Sequence, residues 1–138
     1  MDTGIQLGRR FRSLKLWMIL RWFGARAIRA RIAEHIRLAQ RLASWIDAHE
    51  DFERLAPVPL SVVCFRWNPA PIKLSDAELD AANEELADLV NASGEVFLSH
   101  TRVRGRLALR IAIGHWETAE RHLARAWELL TSHALHLR

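Results

Sequence analysis

The sequence predicts an α+β domain: a small, four-stranded, mostly antiparallel sheet covered by helices on one face and preceded by an apolar helix. Three observations carry this. Two stretches repeat apolar residues every three or four positions, and a third opens on a capping sequence. Two pairs of short β-rich segments lie between them. Each pair is joined by a short turn, so its strands run antiparallel.

The first element is GRRFRSLKLWMILRWFG, Gly8 to Gly24. After three arginines in four positions it is apolar on nearly every side. Such a helix belongs inside something larger. From Ala25, Ile28, Ile32, Ile36, Ala39, Leu42, Ala43 and Ile46 mark one helix face to about Ala48. That is roughly 36 Å at about 1.5 Å per residue. Gly24 separates or kinks the two helices.

DFERL (Asp51 to Leu55) fits an edge strand and APVP a turn. LSVVCFRW (Leu60 to Trp67) is a strand, ended by NPAP, Asn68 to Pro71. SDAE (Ser75 to Glu78) is a capping box, and Leu79, Ala82, Leu86, Leu89 and Val90 give the helix its apolar face. EVFLSHTRV (Glu95 to Val103) is a strand, RGR (Arg104 to Arg106) a hairpin turn, and LALRIAI (Leu107 to Ile113) the return strand. Alternation puts Leu107, Leu109, Ile111 and Ile113 on one face, and Ala108, Arg110 and Ala112 on the other. A last helix runs from about Thr118 to His133 on Ala119, Leu123, Ala126, Trp127 and Leu130.

With 138 residues, half of them hydrophobic, the chain is long enough for one core. No uncharged apolar run is long enough to span a bilayer. The basic start is not followed by a signal-peptide cleavage site, so no leader and no membrane partner are expected. The only cysteine, Cys64, lies among β-branched and aromatic residues and is expected to be a buried thiol in a reducing compartment, the cytoplasm. Net charge is +4, with eighteen arginines and two lysines, Lys15 and Lys73. The arginines are spread over helices among acids, so a nucleic-acid partner is not expected.

Seven histidines invite a search for a metal site. His133 and His136 have the spacing of two ligands on one helix face, but no third ligand is nearby, so no metal is expected. His115, Trp116, Glu117 and Thr118 follow the last strand and fit either a binding edge or a helix cap. His35 and His100 fit packed or surface roles. No phosphate loop, nucleophile elbow or HExxH motif is present. Arg110 stands out in an otherwise apolar strand. An arginine there is either paired with a helix carboxylate or aimed at a carboxylate or phosphate ligand.

GIQLGRRFRSLKLW followed by an Arg-rich helix, SVVCFRW and LALRIAI, in this order, resembles the C-terminal portion of the group II pyridoxal-phosphate-dependent amino-acid decarboxylases, the aromatic-L-amino-acid decarboxylase kind. The resemblance implies that residues 1–24 end a large domain and link it to a C-terminal small domain, residues 25–138. It implies a carboxy-lyase of amino-acid metabolism whose cofactor, pyridoxal phosphate, is held by an upstream lysine that follows a histidine. Neither Lys15 nor Lys73 follows a histidine. The chain alone is therefore expected to bind no cofactor and to be inactive, with no catalytic residue of its own. Arg110 and Arg10 match arginines that lie near the active-site region in similar enzymes, at Arg110's position facing a substrate carboxylate in glutamate-type members, so the resemblance implies that both bind substrate. The partners implied are the missing large domain and a second copy, meeting at the Trp-rich N-terminal helix. The rival reading is a stand-alone α+β binding or oligomerisation module.

Overall fold

The structure, a computed structural model, describes residues 11–70 and 72–137. Arg9, Arg10 and Pro71 lie outside the described residues. The elements are α1 (Arg12–Asp47), β1 (Phe52–Arg54), β2 (Val62–Trp67), α2 (Asp76–Ala92), β3 (Ser99–Val103), β4 (Arg106–Ala112) and α3 (Glu120–His136). Two compact units divide between Ile32 and Ala33.

In the first unit α1 opens on exposed apolar residues. Leu16, Trp17, Met18, Ile19 and Leu20 are consecutive and all exposed. At about 100° per residue, five consecutive positions go right round a helix. Lys15 and Arg21, both exposed, bound that run. Trp22 is 84% exposed. Helical geometry breaks at Gly24, where φ is 78° and ψ is 148°, a conformation that side chains with a Cβ avoid.

The second unit holds the sheet, in the order β1-β2-β4-β3, with every pairing antiparallel. β4 is central, flanked by β2 and β3. Val63, Phe65 and Trp67 of β2 and Leu107 and Leu109 of β4 are buried. Against them pack Leu38, Leu42 and Ile46 of α1, Leu86 and Val90 of α2, and Leu123 and Leu130 of α3. Each such side chain contributes about 1.5–3 kcal/mol of burial.

Local chemistry sets the boundaries. Ser75 Oγ accepts the Glu78 N–H and Glu78 accepts the Ser75 N–H, so the capping box forms at α2. Arg104 (φ 51°) and Gly105 (φ 83°) are both left-handed, the two-residue turn whose twist suits a hairpin. Arg106 already belongs to β4. β3 is shorter than its sequence pattern suggests. It begins at Ser99, because Asn91 takes the Leu98 backbone: Leu98 N–H donates to Oδ1 at 2.6 Å and Nδ2 donates to Leu98 O at 3.0 Å. Phe97 is left 83% exposed.

On α2, Asn83 and Ala87 are buried, whereas Leu89 is half-buried. Asn83 is wholly inaccessible and fully bonded. It accepts Trp67 N–H at 2.7 Å, and its Nδ2 donates to Trp67 O and Leu79 O, both at 2.8 Å. One turn earlier, Asp80 accepts Leu107 N–H at 3.0 Å and pairs with Arg66 at 3.1 Å and Arg102 at 2.8 Å. Arg66 is fully buried and also meets Asp76 at 3.4 Å. Its buried Nε has no hydrogen-bond partner, the kind of cost borne only where the rest of a guanidinium is well held.

Replacing Asn83 with alanine leaves both polar groups of a buried backbone unit unpaired. The expected loss is about 2–4 kcal/mol, read from the urea unfolding midpoint. Asp80 makes a second prediction. Burial alone would raise its carboxyl pKa, but the Leu107 N–H and the charges of Arg102 and Arg66 more than offset this and hold it below 3.8. Its contribution is therefore complete above pH 3.8 and is lost as pH falls through the lower folded-state value. In acid unfolding, Asp80→Asn should remove stability at neutral pH and flatten the decline below about pH 4.

Candidate functional site

Two places in the second unit gather polar groups. The first is the sheet face opposite the core, centred on Arg110. In register, Arg110 stands between Cys64 on β2 and Ser99 on β3. By alternation these three share a face with Val62, Ala108 and Ala112. Arg66 and Ala108, at one end, are buried; Val62, Arg110 and Ala112 are exposed. Arg110 Nε donates to Ser99 Oγ at 2.9 Å. That bond leaves both terminal nitrogens free to form a fork for an anion. Among the described residues no carboxylate pairs with Arg110, whereas Arg37, Arg41, Arg54, Arg66, Arg102, Arg106 and Arg125 each have one.

The ion pair that one sequence reading gives Arg110 is therefore made instead by Arg66, in the neighbouring strand. The physical reason is position. Asp76 and Asp80 open α2 beside the end of β2, while Arg110 stands mid-strand on the exposed face. Cys64, expected to be buried, is half-buried on the same face.

The second place is a cleft of about 510 Å³ between the end of β4, the 95–97 segment and α3. His115, Thr118, His122 and Arg125 line it along with Phe97 and Ile111. Its polar groups are mostly committed. His115 Nδ1 accepts Glu117 N–H at 3.2 Å, and His122 Nδ1 accepts Ala119 N–H at 3.1 Å. The latter is the reciprocal half of a capping box, whose other half the Ala119 side chain has no oxygen to supply. Arg125 is gripped by both oxygens of Glu95 at 2.7 Å, and its pKa is raised chiefly by that bond. The cap expected of 115–118 is not made by these contacts: the N-cap of α3 is Ala119, and His115 Nδ1 bonds within its own loop. His35 is buried and its Nε2 donates to His115 O at 3.1 Å, tying α1 to this loop.

Arg10 lies outside the described residues. His133 and His136 sit in the last turn of α3. Among the described residues no three metal-ligating side chains converge, and no helix is long and apolar enough to cross a membrane. Sequence reasoning missed Arg66, Asp80 and Asn83. A signal existed: an arginine inside an apolar strand, followed by a helix with acids at Asp76 and Asp80.

A four-stranded antiparallel sheet covered by helices on one side, with Arg110 exposed on the other, defines a small α+β domain. Comparison with known proteins shows where it belongs. The family model for the pyridoxal-dependent decarboxylase conserved domain matches residues 1–68. Phenylacetaldehyde synthase of Arabidopsis thaliana is 41% identical over 136 residues, which is 99% of this chain and 27% of that protein. Tryptophan decarboxylase 2 of Oryza sativa subsp. japonica is 44% identical over 134 residues, 96% of this chain and 26% of that protein. The crystal structure of Oryza sativa TDC with PLP and tryptamine superposes with a TM-score of 0.87 at 32% identity, covering 96% of this chain and 28% of that one. The chain belongs to the pyridoxal-dependent decarboxylase family. It spans about a quarter of the length of the relatives it matches.

Because Arg110 makes no ion pair with a described residue, Arg110→Met should leave the unfolding free energy of this chain within about 0.5 kcal/mol. Denaturant unfolding of the two proteins checks this.

Proposed function

We propose that this chain is the C-terminal portion of a pyridoxal-phosphate-dependent decarboxylase of aromatic amino acids, and that it works only with the cofactor-binding portion. The observation that carries the reading is the match of fold over 96% of this chain to 28% of a solved decarboxylase. On this reading residues 1–24 end the large domain and link it to the small domain, residues 25–138. Arg110 and Arg10 then take the substrate-binding role that the family resemblance implies. A single cysteine, Cys64, fits the reducing cytoplasm.

What pyridoxal phosphate supplies in such enzymes is an electron sink, once a lysine and oriented polar groups hold it. The described residues do not fit that task. Lys15 and Lys73 are both exposed, and neither lines the cleft beside α3. An ammonium in open water has no desolvated pocket or neighbouring cation to make it a ready amine nucleophile. Removal of carbon dioxide therefore depends on the portion that this chain lacks.

The apolar opening of α1 supports the same reading. Trp17, Trp22 and Phe23 line a shallow surface groove with Met18, Ile19 and Arg21. A patch of this kind draws association. In the whole enzyme the large domain covers it; alone, the chain pairs with a second copy there.

Pyridoxal phosphate titration followed by borohydride reduction and peptide mapping tests the first claim. No stoichiometric adduct is expected. A specific adduct on Lys15 or Lys73 would overturn it. Light scattering tests the second: a dimer or larger assembly is expected, and a clean monomer at micromolar concentration would contradict it.

A further inference from the structure

On the helix side of the sheet, the end of α1 and the middle of α3 leave a groove of about 470 Å³, within the range usual for small-molecule sites. Two indoles, Trp45 and Trp127, line it with Ala48, His49, Ala124 and Glu128. Its rings are held in place by the fold. His49 Nδ1 accepts Asp51 N–H at 3.1 Å. The His49 ring meets Phe52 and Trp127 edge-on, with centroids 5.2 and 5.6 Å apart. Trp127 also leans on Phe52, at 5.0 Å. Ala48 and Ala124 are exposed and too small to close the groove.

The charge at the rim is unbalanced. Arg125 pairs with Glu95 at 2.7 Å and with Glu128 at 2.8 Å. One guanidinium thus answers two carboxylates, and one negative charge is left over. Glu128 engages Arg125 through Oε2 alone, so its Oε1 accepts from no described residue. Arg41, beside Trp45, is already answered by Glu120 at 3.4 Å. Its guanidinium lies 5.6 Å from the Trp45 ring centroid, so this indole attracts a cation within the structure itself.

We infer that the groove between α1 and α3 binds an arylalkylammonium, with its ring against Trp45 and Trp127 and its ammonium on Glu128. Indoles favour a flat aromatic ring and a cation alike. The surplus negative charge attracts an ammonium and repels a carboxylate. An aromatic amino acid would bring its own carboxylate to the same rim, so the groove separates an amine from the amino acid it derives from. Loss of carbon dioxide from an aromatic amino acid leaves an amine of this class, which would make the groove a product-binding site. That link to product rests on the proposed function; the chemistry of the groove does not.

The test is calorimetric titration of the whole chain with tryptamine, with the indole N–H resonances of Trp45 and Trp127 followed by NMR. Saturable binding is expected, and both resonances should shift. Glu128→Gln should weaken binding by about fivefold, the worth of one exposed ion pair. Ala124→Leu should fill the groove and weaken it more. Both positions are exposed, so both variants should fold. Indole-3-acetate has the ring with the opposite charge, and butylamine has the charge without the ring; each should bind at least about tenfold more weakly. No saturable binding at millimolar tryptamine overturns the inference. So does binding that ignores both substitutions, or that shifts Trp17 and Trp22 instead, because the ligand then sits on the opening of α1. Indole-3-acetate binding as tightly as tryptamine would leave only an apolar groove, and butylamine doing so only an anionic rim; either result overturns the inference too. None of these readings depends on release of carbon dioxide. Their failure leaves the decarboxylase reading standing, and failure of that reading removes only the link to product.

Discussion

One helix grips two neighbouring strands by their backbones, and the rest of the second unit depends on that grip. Apolar contacts hold α2 to the sheet but set no register, because burial is non-directional. Asn83 sets it by closing both polar groups of Trp67 in β2. Asp80, one turn away, does the same for Leu107 N–H in β4 and gathers Arg66 and Arg102. Two side chains on one helix thus fix its position on adjacent strands. Once α2 is seated, the alternation of β2 and β4 is settled: Val63, Phe65, Leu107 and Leu109 face the helices, and Arg110 faces away.

From that arrangement comes a domain finished on one side and open on the other. On the helix side Phe65, Leu109 and Leu130 are wholly buried. The opposite side ends in a cation without a carboxylate among the described residues. The first unit, taken by itself, is an apolar helix whose exposed residues point in all directions. Both surfaces have the composition of an interior and the exposure of a surface. On the proposed function one cause accounts for both: the cover belongs to the portion of a decarboxylase that lies outside the quarter this chain matches.

Much of this was legible from the residues. Ser75 and Glu78 announced α2, the LALRIAI alternation announced β4, and Gly24 announced the break in α1. Those signals are local, because caps, turns and periodicity act over a few residues. What failed was non-local. β3 begins at Ser99 rather than Glu95, because Asn91 bonds Leu98, a contact made only once the chain folds back. Arg66 rather than Arg110 became the buried arginine, because α2 brings its acids to the end of β2. Asn83 reads as an unremarkable polar residue in a helix until Trp67 stands opposite it. The open face at Arg110 was half legible. The strand pattern placed the arginine away from the core, but only the fold shows that nothing acidic reaches it among the described residues.

The most direct test of the account is release of carbon dioxide from L-tryptophan by the graft of this chain onto rice tryptophan decarboxylase, with this chain alone as control. The account predicts a cofactor-loaded graft with a turnover rate within about tenfold of the rice enzyme, where tenfold corresponds to about 1.4 kcal/mol in the barrier, and no release by the chain alone. A folded, cofactor-loaded graft that releases none, or release by the isolated chain, would contradict it.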